Sequence, residues 1–320
     1  MKKVLIFGGS VFIGKAIANK FIQRGDEVYV LNRGNNPCPN GAIQLLADRN
    51  EFEQLKAVLS GKEFDIVIDG SAYKEYQTKM AVELLKNHTK HFIHISSAAV
   101  YKDSEIFPYR EESPRGTSNH WGEYSTNKYL CEEVLFNVWR EQKFPITILR
   151  PFYVYGLGNN LDRESYVFAR LLNNKPIIIP SMGMPMVQFG HIDDLCAAIE
   201  KIAENERCFG KAYNISGTEY ITLKGWVEVC GRVLNIEPKL VLVDTKATTY
   251  KARDWFPFRD ISLIGSCDLI KKDIGFEPKY SIYDGLKQTI DKQGIEKFKN
   301  SLKESDVESK ILEQLKLKKL

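Results

Sequence analysis

No two of the six cysteines (Cys38, Cys131, Cys196, Cys208, Cys230 and Cys267) stand at CxxC spacing, and none lies at metal-ligand spacing from another cysteine or a histidine. That excludes the dithiol redox motif and the compact zinc motifs, so no metal is expected, and it leaves free thiols of the kind a cytoplasmic protein keeps. Long apolar runs are missing as well. The stretch VLIF after MKK ends at Gly8, too short for the apolar part of a secretory signal, and nothing approaches a bilayer span. Neither export nor membrane association is expected. An excess of one charge is also absent: 45 Lys and Arg stand against 41 Asp and Glu, and the resulting +4 is too small and dispersed to imply nucleic acid by itself. There is no internal repeat and no low-complexity segment.

What the chain does have is enough apolar residues for one large or two moderate cores, 43% over 320 residues with 27% charged. Short β-branched runs at 4–7, 27–32, 65–69, 91–96 and 146–150 alternate with helix-like segments. Alternation of this kind predicts βαβ units and a parallel sheet. In the first helix, Ile13, Ala16, Ile17 and Phe21 recur at helical spacing and Gly25 stops the run. Past Gly156 the rhythm loosens, with strand-like pieces at KPIIIP, VQFGHI and AYNISG.

The first turn, FGGSVFIG, leads from strand VLIF into a helix starting near Phe12. Such a turn aims backbone N–H groups, here those around Phe12 and Ile13, and the positive end of a helix dipole at one point, which suits a pyrophosphate. Gly8 and Gly9 allow the turn and close approach, Ser10 offers a hydroxyl, and Gly14 lets the helix pack on the strand. Val11 takes the middle position of the GxxGxxG spacing, where a side chain narrows the approach. The second strand ends Leu31, Asn32, Arg33, Gly34, without the acid that would bind the ribose 2′-hydroxyl of NAD. Arg33 can instead pair with a 2′-phosphate, which favours NADP over NAD. Asp48, ending strand IQLLAD, is a candidate adenine contact or a cap for a helix beginning near Asn50.

Strand HFIHIS ends in Ser96 and Ser97 at the carboxyl edge, where open α/β sheets place their ligands. In GEYSTNK, Tyr124 and Lys128 are one helical turn apart on the same face. Lowering a tyrosine pKa from near 10 by about two units takes roughly 2.7 kcal/mol of differential stabilisation, and a neighbouring ammonium supplies part of it. YxxxK recurs at Tyr220 with Lys224 and at Tyr283 with Lys287, but only the first match lies downstream of a serine-tipped strand.

These stretches together, GGSVFIG, HISSAAVY, YSTNK, LRPFYVYG, HIDDLCAAI, YNISG and GFEPKYSIYDGLKQTI, resemble the extended or atypical short-chain dehydrogenase/reductases, the NAD-dependent epimerase/dehydratase family. The resemblance implies an α/β fold: a Rossmann-type, doubly wound parallel sheet with a smaller, discontinuous C-terminal substrate-binding lobe. Residues 1–160 and 186–220 would form the dinucleotide-binding domain, 161–185 and 221–290 the lobe, and 291–320 a charged helical tail. It also implies Ser97 as hydrogen-bond partner of the reacting oxygen, Tyr124 as acid/base and Lys128 as ribose ligand. Ala98 and Ala99 stand where the 4,6-dehydratases carry Asp and Glu, which argues against a sugar dehydratase. Tyr153 replaces the asparagine that many sugar-nucleotide epimerases place near the diphosphate. The loop, Tyr153 and WFPFRD (255–260) look more like an atypical branch that includes chloroplast stem-loop-binding proteins, which act on RNA.

The reading is an NADP- or NAD-dependent oxidoreductase or epimerase working on a hydroxyl/carbonyl carbon of a polar substrate, a nucleotide sugar first among them. Tyr153 and Arg259 are candidate substrate residues, with a structural ion pair as the alternative for Arg259. The competing reading is an RNA-associated or regulatory binding protein that keeps the cofactor site. In the tail, Val307, Ile311 and Leu315 form one apolar stripe, expected to dock on its own domain or on a second copy in a homodimer, with a membrane or RNA contact through LKLKKL as the alternative.

Overall fold

The structure, a computed structural model, describes residues 1–317. In chain order, the first half runs β1 (Lys3–Phe7), α1 (Phe12–Gln23), β2 (Glu27–Asn32), β3 (Ile43–Leu46), α2 (Phe52–Leu59), β4 (Phe64–Asp69), α3 (Glu75–Leu85), β5 (Thr89–Ile95), α4 (Glu123–Gln142), β6 (Ile146–Pro151) and β7 (Tyr153–Tyr155). The second half runs α5 (Glu164–Leu172), β8 (Ile177–Pro180), β9 (Met186–His191), α6 (Ile192–Ile202), β10 (Lys211–Ile215), β11 (Tyr220–Thr222), α7 (Leu223–Leu234), β12 (Leu240–Val243), α8 (Asp268–Ile274), α9 (Ile282–Gln293), α10 (Ile295–Lys299) and α11 (Asp306–Leu317). Among the described residues no helix is long and apolar enough to cross a membrane, and no cluster of His, Cys, Asp and Glu is gathered as a metal site.

The first of two units comprises Met1–Val154, Ile192–Ser216 and Gly265–Pro278. Its seven strands form one parallel sheet in the order β10-β6-β5-β4-β1-β2-β3. The order doubles back at β1, so β1 and β4 flank the switch point at which doubly wound sheets open a crevice. Both faces are covered. Ile17 and Phe21 of α1 pack with Leu195 and Ile199 of α6 on one face, and Leu55, Leu85 and Leu135 of α2, α3 and α4 fill the other. That explains the near-continuous apolar strands, since strands covered on both faces do not alternate.

The second unit comprises Tyr155–His191, Gly217–Ile264 and Lys279–Leu320. β8 and β12 pair in parallel, β9 and β11 antiparallel, around an aromatic core in which Phe189 and Trp226 stack with ring centroids 3.9 Å apart. The charged C-terminal stretch belongs to this unit. Ile311 is buried with Val307 and Leu315 half-buried beside it, and the Glu308 carboxylate accepts from Arg170 of α5 at 2.6 Å and from the Tyr166 hydroxyl at 2.8 Å. Of the LKLKKL run, residues 318–320 lie outside the described residues.

Several boundaries differ from those expected. Residues 265–278 were assigned to the lobe within 221–290, but Ile270 and Phe276 are buried in the core of the first unit. The units divide at Val154, Ile192 and Ser216 rather than at 160, 186 and 220. β3 stops at Leu46, so Asp48 lies beyond the strand, and α2 starts at Phe52 after Glu51, so Asp48 caps no helix. Its carboxylate is used locally, accepting from the Asn50 N–H at 2.9 Å.

Candidate functional site

The carboxyl ends of β1 and β4 lie side by side, Phe7 in register with Asp69, and the chain leaves them through Gly8 and Gly70. Gly8 takes φ +83°, and a Cβ there would stand 2.7 Å from Ser71 Cβ. A Cβ on Gly14 would stand 2.0 Å from the Gly8 carbonyl oxygen, so α1 sits against the turn at a distance only glycine allows. Val11 holds the middle position of the spacing without backbone strain. Its backbone is extended (φ −133°, ψ 143°), a conformation open to any residue, and its side chain is 38% exposed at the rim. The unusual backbone falls one residue later, at Phe12, with φ +35°. No side chain caps α1, so its first-turn N–H groups remain available to an anion.

A cleft of about 370 Å³ opens over this turn. Gly8, Ser10, Asn32, Arg33 and Asp48 line it as the sequence suggested; Gly9, Phe12, Ile13 and Gly14 shape the turn without lining it. Asn32 is engaged at both ends of its side chain: its amide nitrogen donates to Ser10 Oγ at 2.5 Å, and its carbonyl accepts from the Gly34 N–H and from Gln44. The Arg33 side chain, by contrast, is exposed at the cleft and pairs with nothing among the described residues.

Sequence reasoning missed the floor of this cleft. Arg49 donates through Nη1 to Asp69 Oδ1 at 2.6 Å and to Ser71 Oγ at 2.8 Å, and through Nη2 to Asp69 Oδ2 at 3.0 Å. Burial alone would raise the Asp69 carboxyl, but the Arg49 charge and hydrogen bonds hold it down at about 2. The pair is therefore ionised at neutral pH and fixes the turn after β4. One signal was available: Asp69 follows the apolar run Ile66–Ile68 at the carboxyl end of a strand at the switch point.

The second cluster surrounds the start of α4. Ser125, Lys128, Glu132 and Leu135 form its buried stripe at helical spacing. Lys128 is 2% exposed and donates from Nζ to the Ile95 carbonyl, at the end of β5, at 2.8 Å. Glu132 accepts from Ser96 Oγ at 2.7 Å and is clasped by Arg150 and Arg115 at 2.7 Å each. Burial pushes its carboxyl up, but Arg150 and Arg115 outweigh that and hold it below its ordinary value. Ser97 is half-buried and opens a short 3₁₀ turn, Ala98–Val100, its Oγ accepting from the Ala99 N–H at 3.1 Å and keeping its own proton to donate.

Tyr124 stands one turn before Lys128 and is 36% exposed. Its ring lies 6.2 Å from that of Tyr73, which lines the cleft, and 6.4 Å from that of Trp121. Trp121 in turn lies 6.4 Å from Tyr153. Ser97, Tyr124, Lys128 and Tyr153 thus all belong to the first unit, with Tyr73 joining the aromatic cluster to the cleft. Arg259 belongs to the second unit, half-buried next to the core residue Phe258.

Residues 4–216 match the model of the NAD dependent epimerase/dehydratase family. A chloroplast stem-loop binding protein of 41 kDa (form b) from Arabidopsis thaliana is 29% identical over 304 residues, covering 89% of this chain and 77% of the relative. The fold is also that of dTDP-glucose 4,6-dehydratase from Bacillus anthracis, solved in complex with NAD, at TM-score 0.78 and 18% identity over 91% of this chain and 96% of that one. UDP-glucose 4-epimerase from Thermotoga maritima, solved with UDP-glucose, gives TM-score 0.78 at 19% identity, over 94% of this chain and all of that one (100%). With the switch-point cleft, the glycine-bound turn and a family match over two thirds of the residues, the chain belongs to the NAD-dependent epimerase/dehydratase family.

Proposed function

We propose that this chain is an NADP- or NAD-dependent epimerase or reductase acting on a hydroxyl-bearing carbon of a nucleotide-linked sugar. The observation that carries this reading is Tyr124, half-exposed on α4, one turn before a Lys128 whose ammonium is tied to the Ile95 carbonyl at the carboxyl edge of the sheet. The N–H groups at the start of α1 with Ser10 would hold the pyrophosphate, and Lys128 the nicotinamide ribose. Bound there, the dinucleotide supplies a ring that accepts and returns a hydride. Tyr124 moves the proton on the substrate oxygen, Ser97 donates a hydrogen bond to that oxygen, and the Lys128 charge favours the Tyr124 phenolate. Tyr153, joined to Tyr124 through Trp121, is the proposed sugar-side contact.

Screening nucleotide sugars for turnover, followed by Tyr124→Phe, tests the assignment. The variant keeps the ring and should lose roughly 10² to 10⁴ in turnover with cofactor affinity nearly unchanged; near-normal turnover would move the chemistry elsewhere. Cofactor retained through purification and identified by mass favours the epimerase, an empty cleft the reductase. The stem-loop-binding relative supports a second reading, an RNA-associated protein. That reading requires affinity for a stem-loop RNA that falls steeply with salt, and no binding at low salt removes it.

A further inference from the structure

Lys128 is a buried ammonium with one hydrogen bond among the described residues, to the Ile95 carbonyl. An ammonium carries three donors, and burying it with two of them unmatched is costly unless something else receives the charge. The charged and titratable groups around it are mostly committed to one another. Asp69 is neutralised by Arg49, Glu132 by Arg150 and Arg115, and Cys131 and His94 are uncharged neighbours at neutral pH. Burial pushes the Lys128 ammonium below its ordinary value. The remaining electron-rich group is the ring of Tyr73, whose centroid lies 5.1 Å from Lys128 Nζ, within cation–π range.

Tyr73 is 53% exposed, so packing alone does not fix its ring. Its backbone is pinned instead: its N–H donates to Gln77 Oε1 at 2.7 Å, and the Gln77 carbonyl accepts from Arg49 in the cleft floor at 3.3 Å. From this anchored backbone the ring lies 5.1 Å from Lys128 Nζ and 6.2 Å from the Tyr124 ring.

We propose that Tyr73 is a positioning residue whose ring face keeps Lys128 cationic beside Tyr124. The inference rests on the roles proposed above for Tyr124 and Lys128, but its test does not need the substrate. Lysine carrying ¹³C at the ε position is incorporated into the full chain, and the Lys128 resonance is identified by its loss in Lys128→Met. In the natural protein and in Tyr73→Phe, the Lys128 ε-protons should be shifted upfield by the ring and titrate with the same midpoint. In Tyr73→Leu the ring shift should vanish, and the midpoint should fall by about one pH unit, a roughly tenfold loss of proton affinity. Tyr73→Met serves as a second aliphatic replacement where Tyr73→Leu lowers the thermal midpoint. Equal midpoints in all variants would overturn the proposal. So would a Tyr73→Phe shift as large as that of Tyr73→Leu, because it would assign the effect to the hydroxyl. NADPH and NADH titrations of the same samples separate the two questions: a natural protein that binds neither refutes the cofactor reading, while the lysine titration still decides the part played by Tyr73.

Discussion

Arg33 presents its guanidinium at the cleft with no protein partner among the described residues, directly after an Asn32 whose side chain bonds Ser10, Gly34 and Gln44. A 2′-phosphate offers that guanidinium a charge-assisted pair, worth about 1.5–3 kcal/mol when shielded and less at an exposed rim. NADPH should therefore bind about tenfold tighter than NADH, and Arg33→Ala should remove most of the difference. Fluorescence titration of both reduced cofactors measures this, and equal affinities in the natural protein would rule the assignment out. At the same scale, Val11 shows why a glycine spacing is an incomplete guide. The position takes an extended backbone, which valine adopts readily, and the turn's positive φ falls at Gly8 and at Phe12, the second of which no glycine rule would mark.

The contact of α1 with the turn before it is the least forgiving in the cleft. In Gly14→Ala the new Cβ would meet the Gly8 carbonyl oxygen, a backbone atom that yields only if helix and strand separate. Overpacking of this kind costs about 1–3 kcal/mol, so the variant should unfold at lower urea and lose dinucleotide binding together. Normal binding in a folded Gly14→Ala protein would show that the turn is not the phosphate cradle. Strands and helices such as these were legible because their patterns are apolar: β2 and β6 begin where the β-branched runs do, and α1 ends at Gln23, just before the Gly25 expected to stop it. The proposed site was read from residue type and position at Ser97, Tyr124 and Lys128. It was not legible in the floor of the cleft, since the pairing of Arg49 with Asp69 joins residues 20 apart that no local period relates. Nor does periodicity show that the buried stripe of α4 is built on Ser125, Lys128 and Glu132, because a search for apolar spacing passes over polar residues that a parallel sheet has buried.

Over the molecule as a whole, two buried histidines on β5 set how stability responds to acid. His91 accepts the Glu204 N–H at its Nδ1 at 3.0 Å, which leaves the proton on Nε2 to donate to Thr147 Oγ1 at 2.9 Å. His94 is fully buried, and neither ring nitrogen has a hydrogen-bond partner among the described residues. Burial lowers both imidazoles from 6.5 to about 3, and for His94 the Lys128 charge adds to it. Between those values the unfolded chain binds two protons that the folded chain refuses. Stability is therefore fully present above pH 6.5 and falls as the pH drops toward 3, by up to about 1.4 kcal/mol per pH unit for each histidine. Asp69 acts later, because its stabilisation is lost only between the ordinary carboxyl value of 3.8 and about 2. Against a total of about 5–15 kcal/mol, the histidines alone should bring acid unfolding above the carboxylate range. Urea midpoints at constant ionic strength should decline from pH 6.5 to 4.5, and a flat profile there would contradict the assignment. The two sites then separate by substitution. His94→Leu removes no hydrogen bond, so it should leave stability at pH 8 little changed and roughly halve the acid slope. His91→Leu strands the Glu204 N–H, so it should cost about 1–3 kcal/mol at pH 8 while halving the slope as well.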